Sequence, residues 1–316
     1  MKLVIQIPCF NEESTLAKTI ADIPSSFEGI SEVCILVIDD GCTDRTCEVA
    51  SGCKARVVKH SSNSGLAAAF STGIREALKM GADIIVNTDA DNQYCGKCIK
   101  DLIAPIISGN ADMVIGARPI STIEHFSFIK KILQKTGSAV VRFASGTDVP
   151  DAPSGFRAFS REAALKMSVF SKYSYTLETI IQAQNKGVKI VSVPIEINPP
   201  TRKSRLFKSM SGYIWRSVLT IGRIFILYRP FRFFAAVGGI LFSIGFLLGI
   251  RFIVYYFNGL GEGHIQSIVL SSVFMISGFQ TFLIGIVSDL ISANRKMLEE
   301  IRYFQRKQTL TPQKKD

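Results

Sequence analysis

Two carboxylates near residue 90 are the side chains best suited to chemistry in this chain of 316 residues. Asp89 and Asp91 follow the apolar run 82–86, and only Ala90 separates them. If that run is a buried strand, both carboxylates lie near its carboxyl end and can share one Mg²⁺ or Mn²⁺ ion. Such ions take oxygen ligands from protein and phosphate together, and Gln93 can add one from the same turn. A cation here would neutralise the charge that develops on a departing nucleoside diphosphate.

The elements that must position these carboxylates alternate along the first half of the chain. Short apolar runs predict strands at 3–8, 33–39, 55–59, 84–89 and 113–116, and the segments between them predict helices at 13–23, 44–50, 65–80 and 97–107. Strand–helix alternation predicts a doubly wound, Rossmann-like α/β domain, with strands that are apolar on both faces. Ligands of such sheets bind beyond the carboxyl ends of the strands. The turns 39–41, 63–65 and 89–91 all fall there, so we expect them to form one site.

The pattern continues less regularly after residue 116. We expect helices at 127–145 and 175–186, and strands at 156–159 and 188–197. A basic stretch at 201–208 then opens a segment whose cationic and apolar side chains separate on an ideal helix. That separation predicts an amphipathic helix on a membrane surface. An ordinary helix packed on the domain is the alternative.

Two long apolar spans follow near the C-terminus. Residues 233–257 carry one charge, Arg251, and residues 265–287 carry none. Each exceeds the ~20 apolar residues that a helix needs to cross a bilayer. A pair of buried core helices is the alternative, but two such spans are hard to bury in a domain of this size. The connector 258–264 lacks Lys and Arg, whereas basic residues crowd both outer flanks, so we expect both termini in the cytosol.

Charge and cysteine content bear on whether the chain binds nucleic acid or zinc. The net charge of +11 raises the question of nucleic acid, but no zinc-finger, helix-turn-helix or aromatic–basic signature accompanies it. Basic residues beside the spans suit anionic lipid instead. Cys95 and Cys98 form a lone Cys-x-x-Cys without the second pair that a zinc site needs, so free thiols are expected.

Five motifs together resemble one family. Residues 7–13 (Ile-Pro-Cys-Phe-Asn-Glu-Glu), 37–44, 63–65 and 88–93 are similar to family-two glycosyltransferases of the GT-A fold. Residues 154–159, followed by the two spans, are most similar to the polyprenyl-phosphate group. That group includes dolichyl-phosphate mannose synthases and bacterial undecaprenyl-phosphate glucosyltransferases. The resemblance covers roughly residues 2–290 of the chain.

The resemblance implies roles for particular residues. The residues implied to bind the nucleotide sugar are Pro8, Asn11, Glu12, Asp39, Gly65 and Asp89. The metal ligands would be Asp89, Asp91 and Gln93. The candidates for catalysis are Asp91, Asp151 and Glu178. The cationic groups for the lipid phosphate would be Arg118, Lys131 and Arg202, although each could instead be a solvated surface charge.

A phosphate monoester is anionic at neutral pH and needs no strong general base to attack the anomeric carbon. The expected reaction is a single displacement with inversion, aided by positioning and electrostatics. Two departures from the family pattern stand near the donor site. Cys42 replaces a usual Ser, and residues 94–97 replace a Pro-containing stretch.

We therefore expect a membrane-bound enzyme that transfers a hexose from a UDP-glucose- or GDP-mannose-type donor to polyprenyl phosphate, with a divalent cation as cofactor. Its product would serve cell-envelope or protein glycosylation. The predicted divisions are a catalytic domain at 1–200, an interfacial region at 201–231, two plasma-membrane helices at 232–290 and a cytosolic basic tail at 291–316. Gly245 and Gly249 have the small-xxx-small spacing that permits helix association, which suggests a homo-oligomer.

Other functions remain open from sequence. The same fold could act on a different lipid or on a polysaccharide acceptor. A processive synthase would need a Gln-x-x-Arg-Trp motif, but the only tryptophan, Trp215, stands in another context. A non-catalytic membrane scaffold would not need the Asp89/Asp91 pair. A transporter would need intramembrane charge pairs, which two such helices do not offer.

Overall fold

The computed structural model describes residues 1–119, 147–169, 175–199, 230–259 and 265–310, together with Gly222 and Ile226. The predicted helix at 127–145 and the basic stretch at 201–208 lie outside these residues. The chain divides into two compact units. The first unit comprises Met1–Trp215 and Ile301–Asp316, and the second comprises Arg216–Glu300.

The first unit is built on a sheet of seven strands within the described residues, in the order β3-β2-β1-β4-β6-β5-β7. The strands are β1 (Lys2–Cys9), β2 (Glu32–Asp39), β3 (Arg56–Lys59), β4 (Ile84–Asn87), β5 (Met113–Ala117), β6 (Arg157–Ser160) and β7 (Ile190–Pro194). Strands β1 to β4 pair in parallel, as predicted, and β5 is parallel to β7. Strand β6 runs antiparallel to β4 and β5, so the sheet is mixed.

Helices cover both faces of this sheet, as the two-sided apolar strands predict. Those described in the first unit are α1 (Leu16–Ala21), α2 (Thr46–Gly52), α3 (Leu66–Lys79), α4 (Ile99–Ile107), α5 (Arg161–Lys166) and α6 (Tyr175–Asn185). Neighbouring residues of a strand point to opposite faces. Val4 therefore packs in one core with α3, α5 and α6, whereas Leu3 and Ile5 pack in another with α4.

Helix α3 shows how the sequence produces this packing. Phe70, Ile74 and Leu78 recur every fourth residue and are buried, so one stripe of the helix faces the sheet. Phe70 stacks on Tyr175 of α6, with ring centroids 4.0 Å apart. Burying a side chain of this size stabilises the fold by about 1.5–3 kcal/mol.

Residues 301–310 also pack in the first unit. They form the end of helix α8 (Ile265–Leu310). The Tyr303 hydroxyl donates to the Glu162 carboxylate at 2.6 Å, and Arg306 donates to the Met167 carbonyl at 2.6 Å. Arg161 donates to the Leu310 carbonyl. Part of the segment predicted as a basic tail, 291–316, therefore contacts α5.

The second unit contains helix α7 (Pro230–Phe257) and the first part of α8. Both are long and apolar enough to cross a membrane, with mean hydropathies of 2.3 and 1.8 over their most apolar windows. Large apolar side chains such as Phe246, Leu247 and Phe279 are exposed on them. Such helices in water would expose an apolar surface far beyond that of an ordinary soluble protein, so they suggest membrane association.

Small residues bring α7 and α8 together within this unit. A Cβ on Gly245 would lie 2.8 Å from the Ser271 carbonyl oxygen, and one on Gly249 would lie 3.0 Å from the Ser271 hydroxyl. The Ser271 hydroxyl donates to the Gly245 carbonyl at 2.6 Å. The glycines that suggested an oligomer therefore pack inside one chain, and they give no support for association between chains.

Adjacent glycines of α7 provide a matched test of this helix pairing. A Cβ on Gly238 would lie 2.8 Å from the Gly278 carbonyl oxygen, whereas one on Gly239 would meet nothing within 4 Å. We expect Gly238→Val to destabilise the unit by about 1–3 kcal/mol through overpacking, and Gly239→Val to have little effect. Thermal unfolding in detergent measures both. Equal midpoints for the two variants would contradict the close packing.

Candidate active site

The turns that follow β2 and β3 are joined by one buried carboxylate. Asp40 accepts hydrogen bonds from the backbone N–H of Ser64 at 2.9 Å and of Gly65 at 2.8 Å. The His60 Nδ1 atom lies 2.7 Å from the same side chain. Gly65 has a φ of +90°, a conformation that glycine adopts without strain, and it immediately precedes α3. Asp40 and Gly65 thus fix the shape of this edge of the sheet.

Asp39 is held as an ionised carboxylate at the end of β2. Its side chain is fully buried and accepts from the Cys42 backbone N–H at 2.6 Å and the Cys47 thiol at 2.7 Å. Burial alone would raise the pKa of Asp39, but these donors and Lys59 lower it overall. Each carboxylate oxygen has two acceptor positions, so Asp39 can still accept from a ligand. The Cys42 backbone carries this contact, so the thiol in place of Ser leaves it intact.

The cysteines around Asp39 remain protonated thiols. Burial and the neighbouring Asp39 raise the pKa of Cys42 to about 12 and that of Cys47 to about 11. A protonated thiol can donate to Asp39, whereas a thiolate would repel it. All seven cysteines of the chain are free, as expected.

The turn after β1 lies against the turn after β2. The Asn11 side-chain oxygen accepts from the Thr43 backbone N–H at 2.8 Å, and the Glu12 backbone N–H donates to the Thr46 hydroxyl at 2.9 Å. Asn11 has a φ of +56°, which Asn tolerates better than most residues. Pro8 pairs with Ile38 in the adjacent strands. Four of the residues predicted to bind a nucleoside, Pro8, Asn11, Glu12 and Asp39, therefore lie in adjoining turns and strand ends.

Asp89 and Asp91 are close enough to influence each other. Burial raises the pKa of Asp89 to about 7, and the negative charges of Asp91 and Glu12 contribute in the same direction. Asp91 accepts a hydrogen bond from the Gln93 backbone N–H at 3.2 Å. Carboxylates gathered in this way repel one another unless a cation neutralises them.

The oxygen atoms of these side chains suit a hard divalent cation that also binds the phosphate of a ligand. Among the described residues no three His, Cys, Asp or Glu side chains converge as a complete metal site. Asp89 and Asp91 can supply two ligands, the Gln93 side chain can add an amide oxygen, and phosphate and water can supply the rest. Mg²⁺ typically binds in this way, through one or two carboxylates plus substrate phosphates.

The loop before β6 approaches the carboxylates from the other side. A Cβ on Gly155 would lie 2.8 Å from the Tyr175 hydroxyl and 3.2 Å from an Asp89 carboxylate oxygen, so no larger residue fits there. The Gly155 N–H donates to the Tyr94 hydroxyl at 3.1 Å, and Tyr94 stacks on Phe156 with centroids 4.9 Å apart. These contacts place the loop 151–155 beside Asp89.

Arg118 and Asp151 form a bidentate ion pair at the loop 151–155. The Arg118 Nε atom donates to Asp151 at 2.7 Å and Nη2 donates at 2.9 Å. The side chains are 16% and 1% exposed, respectively. Despite burial, the neighbouring negative charges, including Asp151 and Asp89, raise the pKa of Arg118. Asp151 is thus engaged with a guanidinium that lies within electrostatic range of Asp89.

Arg157 lies within the motif at 154–159 and organises the same loop, although it was not among the predicted site residues. It is fully buried and donates to the carbonyls of Ala152, Ser154 and Thr176, each at 2.7 Å. Burial lowers the pKa of Arg157 to about 10, so the guanidinium stays charged at neutral pH. The sequence signal for this role was a single arginine among the apolar residues of a predicted buried strand. A buried charge must be paired or hydrogen-bonded, so such an arginine indicates acceptors close by.

Of the three remaining predicted residues, one is buried in a helix and two lie outside the described residues. Glu178 is 3% exposed in α6, and Gln182 donates to it at 3.3 Å. Lys131 and Arg202 lie outside the described residues. The structure therefore brings Arg118 to the carboxylates and leaves the other two predicted cations untested.

The mixed α/β sheet, with acidic turns at the carboxyl ends of its parallel strands, has the architecture of the GT-A fold. Residues 4–167 match the family model described as Glycosyl transferase family 2, which is more than half of the chain. The protein belongs to this family and is a glycosyltransferase.

Similar proteins agree with this assignment. The polyprenol monophosphomannose synthase of Mycolicibacterium smegmatis is 30% identical over 67% of this chain and 82% of its own length. The UDP-N-acetylglucosamine–dolichyl-phosphate N-acetylglucosaminyltransferase of Methanococcus voltae is 29% identical over 60% of this chain and 83% of its own.

A solved structure supports the fold. Glucosyl-3-phosphoglycerate synthase from Mycobacterium tuberculosis, in complex with Mn²⁺, UDP-glucose and phosphoglyceric acid, aligns with a TM-score of 0.54 at 20% identity. The alignment covers 70% of this chain and 79% of that one. GT-A relatives of this kind therefore bind a divalent cation together with the nucleotide.

The raised pKa of Asp89 predicts pH-dependent cation binding. Below about pH 7 the carboxyl is mostly protonated in the cation-free protein, and a cation must displace that proton. We expect Mn²⁺ affinity to fall by up to about tenfold per pH unit below this value. Electron paramagnetic resonance titrations at pH 8, 7 and 6 measure this. Asp91→Asn should weaken binding and move the dependence to lower pH, and a pH-independent affinity in the unmodified protein would refute the prediction.

The buried ion pair predicts a large cost for losing one partner. Asp151→Ala leaves the Arg118 guanidinium uncompensated, and we expect a loss of about 3–5 kcal/mol in the free energy of unfolding. Glu32→Ala removes the exposed partner of Lys2 and should leave the free energy of unfolding close to that of the unmodified protein. Denaturant unfolding of both variants gives the comparison. Similar losses would mean that the Arg118–Asp151 pair is not a strong structural contact.

Proposed function

We propose that this glycosyltransferase transfers a hexose from a nucleotide sugar to polyprenyl phosphate, with inversion, at a membrane. The observation that carries the proposal is that the Arg118 guanidinium, which donates two hydrogen bonds to Asp151, lies within electrostatic range of Asp89. A cation-binding carboxylate pair suits a nucleoside diphosphate, and an adjacent guanidinium suits a second phosphate. The two apolar helices and the polyprenyl- and dolichyl-phosphate relatives support a lipid acceptor.

On the donor side, Asp39 would accept hydrogen bonds from the base or ribose. Pro8, Asn11 and Glu12 would line the nucleoside pocket, and Gly65 would allow close approach of the backbone. Asp89, Asp91 and Gln93 would hold Mg²⁺ or Mn²⁺. When bound, the cation supplies positive charge that stabilises the departing nucleoside diphosphate. The donor would be of the UDP-glucose or GDP-mannose type.

On the acceptor side, Arg118 would orient the lipid phosphate, together with Lys131 and Arg202. Asp151 accepts three hydrogen bonds from Arg118, two from the guanidinium and one from the backbone N–H, which suits it to orient that guanidinium rather than to remove a proton. The phosphate oxygen is already anionic and would attack the anomeric carbon directly, while the sugar–diphosphate bond breaks. Positioning of two anionic substrates then accounts for most of the catalysis.

The membrane arrangement follows from the two apolar helices. We propose that both cross the plasma membrane and that the first unit and both termini lie in the cytosol, where nucleotide sugars occur. The connector between the helices would lie outside, because it lacks basic residues. The product would supply cell-envelope or protein glycosylation.

The test is glycolipid synthesis by the purified full-length protein in nanodiscs. Undecaprenyl or dolichyl phosphate would be supplied with labelled UDP-glucose, UDP-N-acetylglucosamine or GDP-mannose, with Mn²⁺ or with EDTA. We expect a labelled lipid product that requires the cation, and a loss of at least about 100-fold in Asp91→Asn. Asp101→Asn changes an exposed carboxylate of α4 and should keep normal activity.

Each alternative has its own outcome in this experiment. Label in a polymer or a different lipid would identify another acceptor and overturn the polyprenyl assignment. Nucleotide binding without transfer to any acceptor, in a folded protein, would favour a scaffold. Equal activity of Asp91→Asn and Asp101→Asn would contradict the proposed cation site.

A further inference from the structure

The turn that follows Asp91 is held by a residue more than one hundred positions away. The Asn198 backbone N–H donates to the Gln93 carbonyl at 2.8 Å, and its side-chain amide donates to the Asn92 carbonyl at 3.1 Å. Next to these bonds, Tyr94 and Ile197 form an antiparallel bridge. The segment after β7 therefore pairs with the turn in the manner of a short additional strand.

Asp22 supports the same turn from the end of α1. Its carboxylate accepts from the Gly96 backbone N–H at 2.7 Å and lies 3.4 Å from the Asn198 side-chain nitrogen. A Cβ at position 96 would overlap the Asp22 carbonyl oxygen, so only glycine permits this approach. Gly96 and Asp22 thus fix the path of the chain after the turn.

The turn has a left-handed residue at its centre. Asn92 is 3% exposed and has a φ of +56°, as Asn11 does. Asn adopts this conformation more readily than most residues, and the surrounding contacts select it here. The Asn198 side chain holds the carbonyl of this same residue. Asp91 and Gln93 flank Asn92, so any relaxation of the turn would move both of them.

We infer that Asn198 and Asp22 are positioning residues for the cation site, which act by fixing the turn between Asp91 and Gly96. The inference rests on the proposed function, because it takes Asp91 and Gln93 as cation ligands. Neither Asn198 nor Asp22 contacts the substrates in this scheme. Their contribution is to keep the ligand oxygens in place before the cation arrives, so that binding does not have to order the turn.

Two variants and two matched controls test this inference. Asn198→Asp keeps the side-chain shape but cannot donate to the Asn92 carbonyl, and it places a second negative charge near Asp22. Asp22→Ala removes the acceptor for Gly96. Asn110→Asp and Asp101→Ala make comparable changes at exposed positions of the first unit.

Three measurements distinguish positioning from general stability. Amide hydrogen exchange of residues 93–96 without cation should quicken about threefold to tenfold in both variants, as expected for losing one hydrogen bond. Mn²⁺ affinity, measured by paramagnetic resonance with UDP and separately with GDP, should weaken about threefold to tenfold. The rate at saturating Mn²⁺ should stay within about twofold of the unmodified protein, because excess cation restores occupancy.

Different results would overturn the inference and the proposed function. Unchanged exchange and unchanged Mn²⁺ affinity in both variants would overturn the inference, and so would lower thermal stability with normal Mn²⁺ affinity. If Asn198→Asp fails to fold, Asp22→Ala decides by the same criteria. Unmodified protein that binds Mn²⁺ and nucleotide but makes no glycolipid would refute the proposed function alone, because the exchange and binding comparisons would still stand.

Discussion

The repulsion between carboxylates at one edge of the sheet is the constraint on which the rest of the site depends. Burial raises the pKa of Asp89, and the negative charges of Asp91 and Glu12 raise it further. Such an arrangement is stable only where charge and hydrogen bonds compensate for it. Arg118 and Arg157 supply the compensating positive charge within the protein, and a bound cation would supply more. Because the protein's own positive charges only partly compensate for these carboxylates, the site is suited to bind a cation and a diphosphate.

Buried polar contacts hold this edge in shape. Asp40 joins two turns, Arg157 gathers the carbonyls of the loop before β6, and Asn198 ties down the turn after Asp91. The Asp40 and Asn198 contacts join residues 24 to 106 positions apart in the chain, so this part of the site forms only when the sheet is complete. The hydrogen bonds offset the free-energy cost of removing a charged side chain such as Arg157 from water.

Much of the fold was predictable because parallel, doubly covered strands have a strong local signature. The runs that became β1, β2 and β4 are mainly apolar, and their polar ends mark the ligand edge. The direction of β6 was not predictable, because Arg157–Ser160 reads as a buried strand in either orientation. The pairing of Gly245 and Gly249 was also ambiguous, since small-residue spacing indicates close approach without naming the partner helix.

The sequence by itself determined which chemistry is available: adjacent acidic turns after apolar strands, and two spans long enough for a membrane. These are local properties, set by side-chain type and by the periodicity of the backbone. Only the tertiary structure decided that Asp151 pairs with Arg118, and that Asp22 and Asn198 meet at the turn after Asp91. Those contacts join residues tens to more than one hundred positions apart. Their formation depends on how strands and helices pack, which no local pattern specifies.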